Sequence, residues 1–100
     1  MTFNEWLNEI ENYGTRHERF LEEWDNGMDD KRMMQWLKAA YQMGLEHNQQ
    51  NKLIDSDLLE EVIKDILMQR FYKEFRNLLI FGAPPEIAEV YAEYMKRKNK

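Results

Sequence analysis

Apolar residues recur at three- and four-residue spacing along almost the whole chain, and each run is bounded by a helix-capping signal. That combination permits few folds besides a bundle of amphipathic helices. Thr2-Phe3-Asn4-Glu5 has the form of a capping box, with the hydroxyl placed for the Glu5 amide and Glu5 for the Thr2 amide. Phe3, Trp6, Leu7, Ile10 and Tyr13 follow as one stripe, and Gly14 supplies a left-handed stop. A second box, Thr15-Arg16-His17-Glu18, opens a helix with Phe20, Leu21 and Trp24 inward, ended by Asn26-Gly27. Asp29 or Asp30 caps a third helix, whose stripe is Met33, Trp36, Leu37, Ala40, Tyr41, Gly44 and Leu45. Gly44 on that stripe predicts a close helix approach.

The polar stretch His47–Asn51 reads as a loop. Asp55 or Ser56 then begins a fourth helix, with Leu58, Leu59, Val62, Ile63, Ile66 and Leu67 on one face. The pattern predicts that it continues to Phe81, roughly 36 Å in all, with a broadening apolar girth and Gly82 as its end. Pro84-Pro85-Glu86 opens a fifth helix, with Ile87, Val90, Tyr91, Tyr94 and Met95 inward. No strand pattern competes. The expected fold is therefore all-α, a compact bundle of about five helices in one domain, 1–100.

Composition agrees and narrows the chemistry. The chain is 43% hydrophobic, enough for a core, and 33% charged, which makes a densely charged surface. It has no cysteine, which removes disulfides, thiolate zinc sites and thiol catalysis. No apolar run reaches the ~18 residues of a membrane span, and the chain opens on no secretory leader pattern. A cytoplasmic protein is expected. Catalytic constellations are missing too. His17 and His47 are too far apart for a zinc-protease pair, and neither follows a Glu three residues back. Glu22-x-x-Asp25 and Glu86-x-x-Glu89 stand in the wrong order for the magnesium site of helical pyrophosphatases. The only serine, Ser56, sits at a cap. Neither a catalytic residue, a metal nor a cofactor is expected, and the chain reads as a non-enzyme.

Charge distribution carries the functional expectation. The net charge is −5, but residues 1–30 alone hold nine acids against two bases. Glu18, Glu22 and Asp25 fall at i, i+4, i+7, so three carboxylates share the helix face opposite Phe20, Leu21 and Trp24. Asp29 and Asp30 extend the row. Like charges at such spacing cost a few tenths of a kcal/mol per pair, a cost that solubility or a basic partner would justify. Asp57, Glu61 and Asp65 repeat the arrangement.

Two alternatives use residues between 70 and 78, the second of them the basic and aromatic segment 70–76. Phe71, Phe75 and Leu78 on the broad helix predict self-association, as a homodimer or structural module. Arg70, Lys73 and Arg76, interleaved with aromatics, have the ingredients of a single-stranded nucleic-acid site, against the acidic net charge.

The Tyr13-Gly14-Thr15-Arg16-His17-Glu18-Arg19 junction and the segment Trp36–Gly44 resemble pieces of small phage and prophage accessory proteins. Together they cover about a sixth of the chain. The resemblance implies a bacterial cytoplasmic setting and a partner that is a host protein, such as a nucleic-acid-processing or defence complex. The chain would bind and inhibit or redirect it, in the manner of anti-defence and anti-CRISPR inhibitors. Local imitation of DNA would fall to Glu18, Glu22 and Asp25.

Overall fold

A computed structural model describes residues 2–49 and 53–99. Helices α1 (Phe3–Leu7), α2 (Arg16–Asp25), α3 (Asp30–Gln49), α4 (Ser56–Leu67), α5 (Phe71–Phe75) and α6 (Ile87–Lys98) are joined by short connections. A two-stranded antiparallel hairpin, β1 (Ile10–Glu11) and β2 (Gly14–Thr15), stands between α1 and α2, pairing Ile10 with Thr15 and Glu11 with Gly14. Counting 56–80 as one interrupted helical run, the chain forms the all-α bundle expected of it. Its principal extents are 41 × 29 × 20 Å.

The hairpin corrects the expectation of one helix from Phe3 to Tyr13. Helix α1 stops at Leu7 because the Asn8 side-chain amide donates to the Asn4 carbonyl at 2.8 Å, competing with the helix ladder. The carbonyl of Trp6, past the last full helical turn, accepts from the Glu9 amide at 3.3 Å and from the Arg16 guanidinium at 2.9 Å. The left-handed residue is Asn12, at φ 59°, rather than Gly14. It occupies the first position of a two-residue turn, a place that asparagine tolerates. Ile10 and Tyr13 therefore point outward, at 79% and 105% exposure, while Phe3, Trp6 and Leu7 enter the core. At the start of α1 the Thr2 hydroxyl accepts from the Glu5 amide (3.1 Å) and donates to the Glu5 carboxylate (3.2 Å). The Glu5 side chain thus meets the Thr2 hydroxyl, where the sequence predicts the Thr2 amide.

The second box forms in full. The Thr15 hydroxyl accepts from the Glu18 amide, and the Glu18 carboxylate accepts from the Thr15 amide, both at 3.1 Å. Gly27, at φ 85°, ends α2 as expected. Helix α3 runs two residues beyond the start of the expected loop, to Gln49; Gln50 and Asn51 lie outside the described residues, as does Lys100. Gly44 allows the close approach foreseen for it, since a Cβ there would lie 2.5 Å from Ile87 Cδ1 of α6.

The fourth helix corrects a second expectation. It does not run unbroken to Phe81. A 3₁₀ turn at Met68–Arg70 ends α4, and α5 passes into a π-helical turn at Arg76–Ile80. No proline or glycine lies within this stretch. The apolar girth is too wide for one straight face, and the change of pitch turns Phe75, Leu78 and Leu79 inward while Met68, Tyr72 and Phe81 stay exposed. The last helix begins at Ile87 behind Glu86, so both prolines precede it and neither occupies its first turn.

The core is apolar throughout: among the described residues no polar or charged side chain is fully buried. Tyr41 and Tyr94 bring hydroxyls to it: that of Tyr41 donates to Glu74 Oε1 at 2.6 Å, and that of Tyr94 accepts from the Asp55 amide at 2.9 Å. Burial first, and the Glu74 bond second, push the Tyr41 hydroxyl well above the usual tyrosine range.

Candidate functional site

Helix α2 presents the acidic row. Its inner side is held by Phe20, whose ring lies 3.7 Å from Trp36 and 5.8 Å from Phe75, centroid to centroid. Trp24 stacks on Phe75 at 5.3 Å. With that side anchored, helical geometry places Glu18, Glu22 and Asp25 outward, and all three are exposed.

The five candidate acids do not behave alike. Glu18 is committed to the cap of its own helix, and the Thr15 amide holds its carboxyl below the usual carboxylate range. Asp29 accepts from the Arg32 amide at 2.8 Å and starts α3. Asp30 accepts from the Tyr72 hydroxyl, across 42 positions of sequence. Only Glu22 and Asp25 have no hydrogen-bond or ion-pair partner among the described residues. Glu22 lines a recess of about 240 Å³ together with Asn12, Tyr13, Gly14, Glu18 and Arg19. The hairpin thus sets a fully exposed tyrosine next to the unpaired carboxylate of Glu22, with Asp25 three residues further along the helix. Tyr13 was expected inside, so this pairing of aromatic and acid could not be read from helical spacing.

A larger cleft of about 560 Å³ lies between α1, the hairpin, α2 and α3, and sequence reasoning missed it. Three guanidinium groups sit over two indoles: Arg16 over Trp6 at 4.7 Å, Arg32 and Arg19 over Trp36 at 5.1 and 5.8 Å. The arginines are also paired. Arg16 meets Glu9 and, at 2.6 Å, Glu11; Arg19 meets Glu11 at 2.5 Å. Glu23 takes two bonds from Arg32 and one, at 2.8 Å, from the Trp36 indole. The Glu23 bond raises the Arg32 guanidinium further above its usual range. With every cation matched, the cleft ties the four elements together and leaves no net positive charge to attract an anion. The i, i+4 pair Arg32/Trp36 was the only local signal of it.

The segment 70–76 is partly consumed by the fold. Phe75 and Leu78 are 0% and 1% exposed, inside one copy's own core, and Phe71 packs partly buried against it. Two of the three residues expected at a subunit contact are thus unavailable to a second chain, because the break in the helix rotates them inward. Arg70 pairs with Glu89 of α6 at 2.7 Å, which raises its guanidinium. Lys73 and Arg76 are exposed. The pitch change separates the three bases among a 3₁₀ turn, an α-turn and a π-turn, so they do not form one continuous helical row. The aromatic ring deepest in that segment cannot reach a base.

His17 is half-buried, with Nε2 3.3 Å from the Ile80 carbonyl. Among the described residues no group of three or more His, Asp or Glu side chains converges as a metal site, and no helix is long and apolar enough to cross a membrane. Comparison with family models, curated proteins and solved structures gives no match for this chain.

Proposed function

We propose that this protein acts by binding rather than by catalysis, docking the acidic face of α2 on a basic surface of a partner protein. The observation that carries the reading is the contrast among the acids. Glu22 and Asp25 stand exposed and unpaired, Glu22 beside the exposed Tyr13, while Glu18, Asp29 and Asp30 have structural duties in the chain itself. An aromatic anchor flanked by charges is a common composition for a recognition patch, and the carboxylates would steer a basic partner. The resemblance of Tyr13–Arg19 and Trp36–Gly44 to phage accessory proteins makes a bacterial host protein, inhibited or redirected on binding, the partner class to test first.

The test is affinity capture from nuclease-treated bacterial lysate, with the wild type and the Glu22→Arg/Asp25→Arg variant side by side. Glu18 is left intact because its loss would disturb the cap. The expected result is a stoichiometric partner on the wild type that is missing from the variant, at unchanged circular dichroism. Retention of that partner by the variant at wild-type affinity would overturn the reading.

A further inference from the structure

A second surface differs from the acidic face in every respect. Where α4 breaks, a groove of about 650 Å³ opens between α3 and the α4–α5 corner, within the roughly 300–1,000 Å³ of typical apolar ligand sites. Met34 is nearly buried at its base, Phe71 and Tyr72 form one side, and Met68 lies along it at 76% exposure. The wall is braced: the Tyr72 hydroxyl donates to Asp30, and its ring meets Phe71 edge-on at 5.7 Å. Methionine thioethers conform to varied apolar shapes, so a fixed aromatic wall and a pliant floor suit an inserted apolar stripe.

The rim is basic. Lys31 and Lys38 stand on α3, seven residues and about 10 Å apart along the helix axis, and Lys64 stands across the groove on α4. A single carboxylate, Glu60, serves both Lys38 (3.3 Å) and Lys64 (3.6 Å), and Lys31 has no partner among the described residues. Three ammonium groups thus face two carboxylates, Asp30 and Glu60, giving a local surplus of positive charge on a chain of net −5.

We propose that this groove binds a short amphipathic helix of a partner protein, apolar on the face it inserts and acidic along both flanks. The apolar floor takes residues at i, i+3, i+4 and i+7 of such a helix, and the lysines on the two banks meet its flanking carboxylates. The charge surplus excludes a basic helix. A second copy of this chain does not suit, because the apolar faces of its own acidic helices α2 and α4 are turned into its core. The site lies apart from Glu22 and Asp25 and stands or falls without them.

The probe is a pair of short helical peptides sharing one leucine stripe, flanked by Glu in one and Lys in the other. They are titrated into the intact protein while the methionine methyl signals are followed by NMR. The Glu-flanked peptide should shift the Met34 and Met68 methyls, and added salt should weaken it. Lys31→Glu/Lys64→Glu should lose about tenfold in affinity, and Met68→Ser should lose binding without loss of fold, all three positions being exposed. Equal binding of the Lys-flanked peptide, or silent methyls at saturating peptide, would overturn the proposal. So would movement of the same methyls with protein concentration alone, which would put a second copy in the groove.

Discussion

Helices α2 and α4 carry acidic rows of nearly the same spacing, and the fold treats them differently. On α4, Asp65 is held by Arg97 of α6 at 2.7 Å, and the neighbouring Glu60 binds Lys38 of α3. Glu60 lies off the row, and of the row itself only Asp65 is bound into the bundle; Asp57 and Glu61 are exposed without a side-chain partner among the described residues. On α2, Glu22 and Asp25 likewise face solvent, but the third acid, Glu18, is held by its own helix cap rather than by another helix, and the exposed Tyr13 stands beside Glu22. The inner faces differ as well. Helix α4 buries Leu59, Val62, Ile63 and Leu67, whereas α2 fully buries Phe20 alone. Spacing along a helix places carboxylates on one face; the next element in space decides whether they remain available.

Four experiments would break or sharpen that contrast, taken from the largest expected effect to the smallest. Phe20→Ala removes the one buried side chain of α2 and should cost about 3–5 kcal/mol. Hydrogen exchange should show residues 16–25 losing protection before 56–67 do; simultaneous loss would mean the two rows share one cooperative unit. Next, Glu22→Arg/Asp25→Arg should weaken partner binding by more than about tenfold. The matched reversal Asp57→Arg/Glu61→Arg on α4 should leave it intact, and calorimetric titration of the captured partner reads both. Third, Thr15→Ala deletes the hydroxyl half of the α2 cap and should cost about 1 kcal/mol, read from the chemical denaturation midpoint.

The smallest effect is a pH dependence. The carboxyls of Glu18 and Glu60 are held below their usual range, by the Thr15 amide and by Lys38 respectively. A folded-state pKa below the unfolded one contributes stability above the unfolded value and loses it as pH falls towards the folded one. The Tm gap between the wild type and Glu18→Gln should therefore be open near neutrality and close on acidification. A gap that is constant with pH would mean the carboxylate charge contributes nothing to the cap.

The parts of the fold that could be read in advance are those fixed by local chemistry. The Thr15/Glu18 box, the Asn26-Gly27 stop and the Gly44 contact depend on residues a few positions apart or on the absence of a Cβ. The two misread segments depend on distant groups. Ile10 and Tyr13 fit a helical stripe, but Arg16 draws the Trp6 carbonyl and two glutamates into a different closure. The break at Met68–Arg70 has no proline or glycine to announce it and follows from where Phe75, Leu78 and Leu79 find room in the core. The candidate site divides the same way. The outward direction of Glu22 and Asp25 follows from helical period, while the engagement of Asp30 depends on Tyr72, far along the chain. The lysine-rimmed groove exists only because the fourth helix bends.

That bend also acts on α2. The rings of Phe20 and Trp24, which set the height of the acidic face, rest on Phe75, the last residue of α5, beyond the corner. One short helix thus serves two surfaces: its first residue, Phe71, walls the lysine-rimmed groove, and its last, Phe75, supports the helix that carries Glu22 and Asp25.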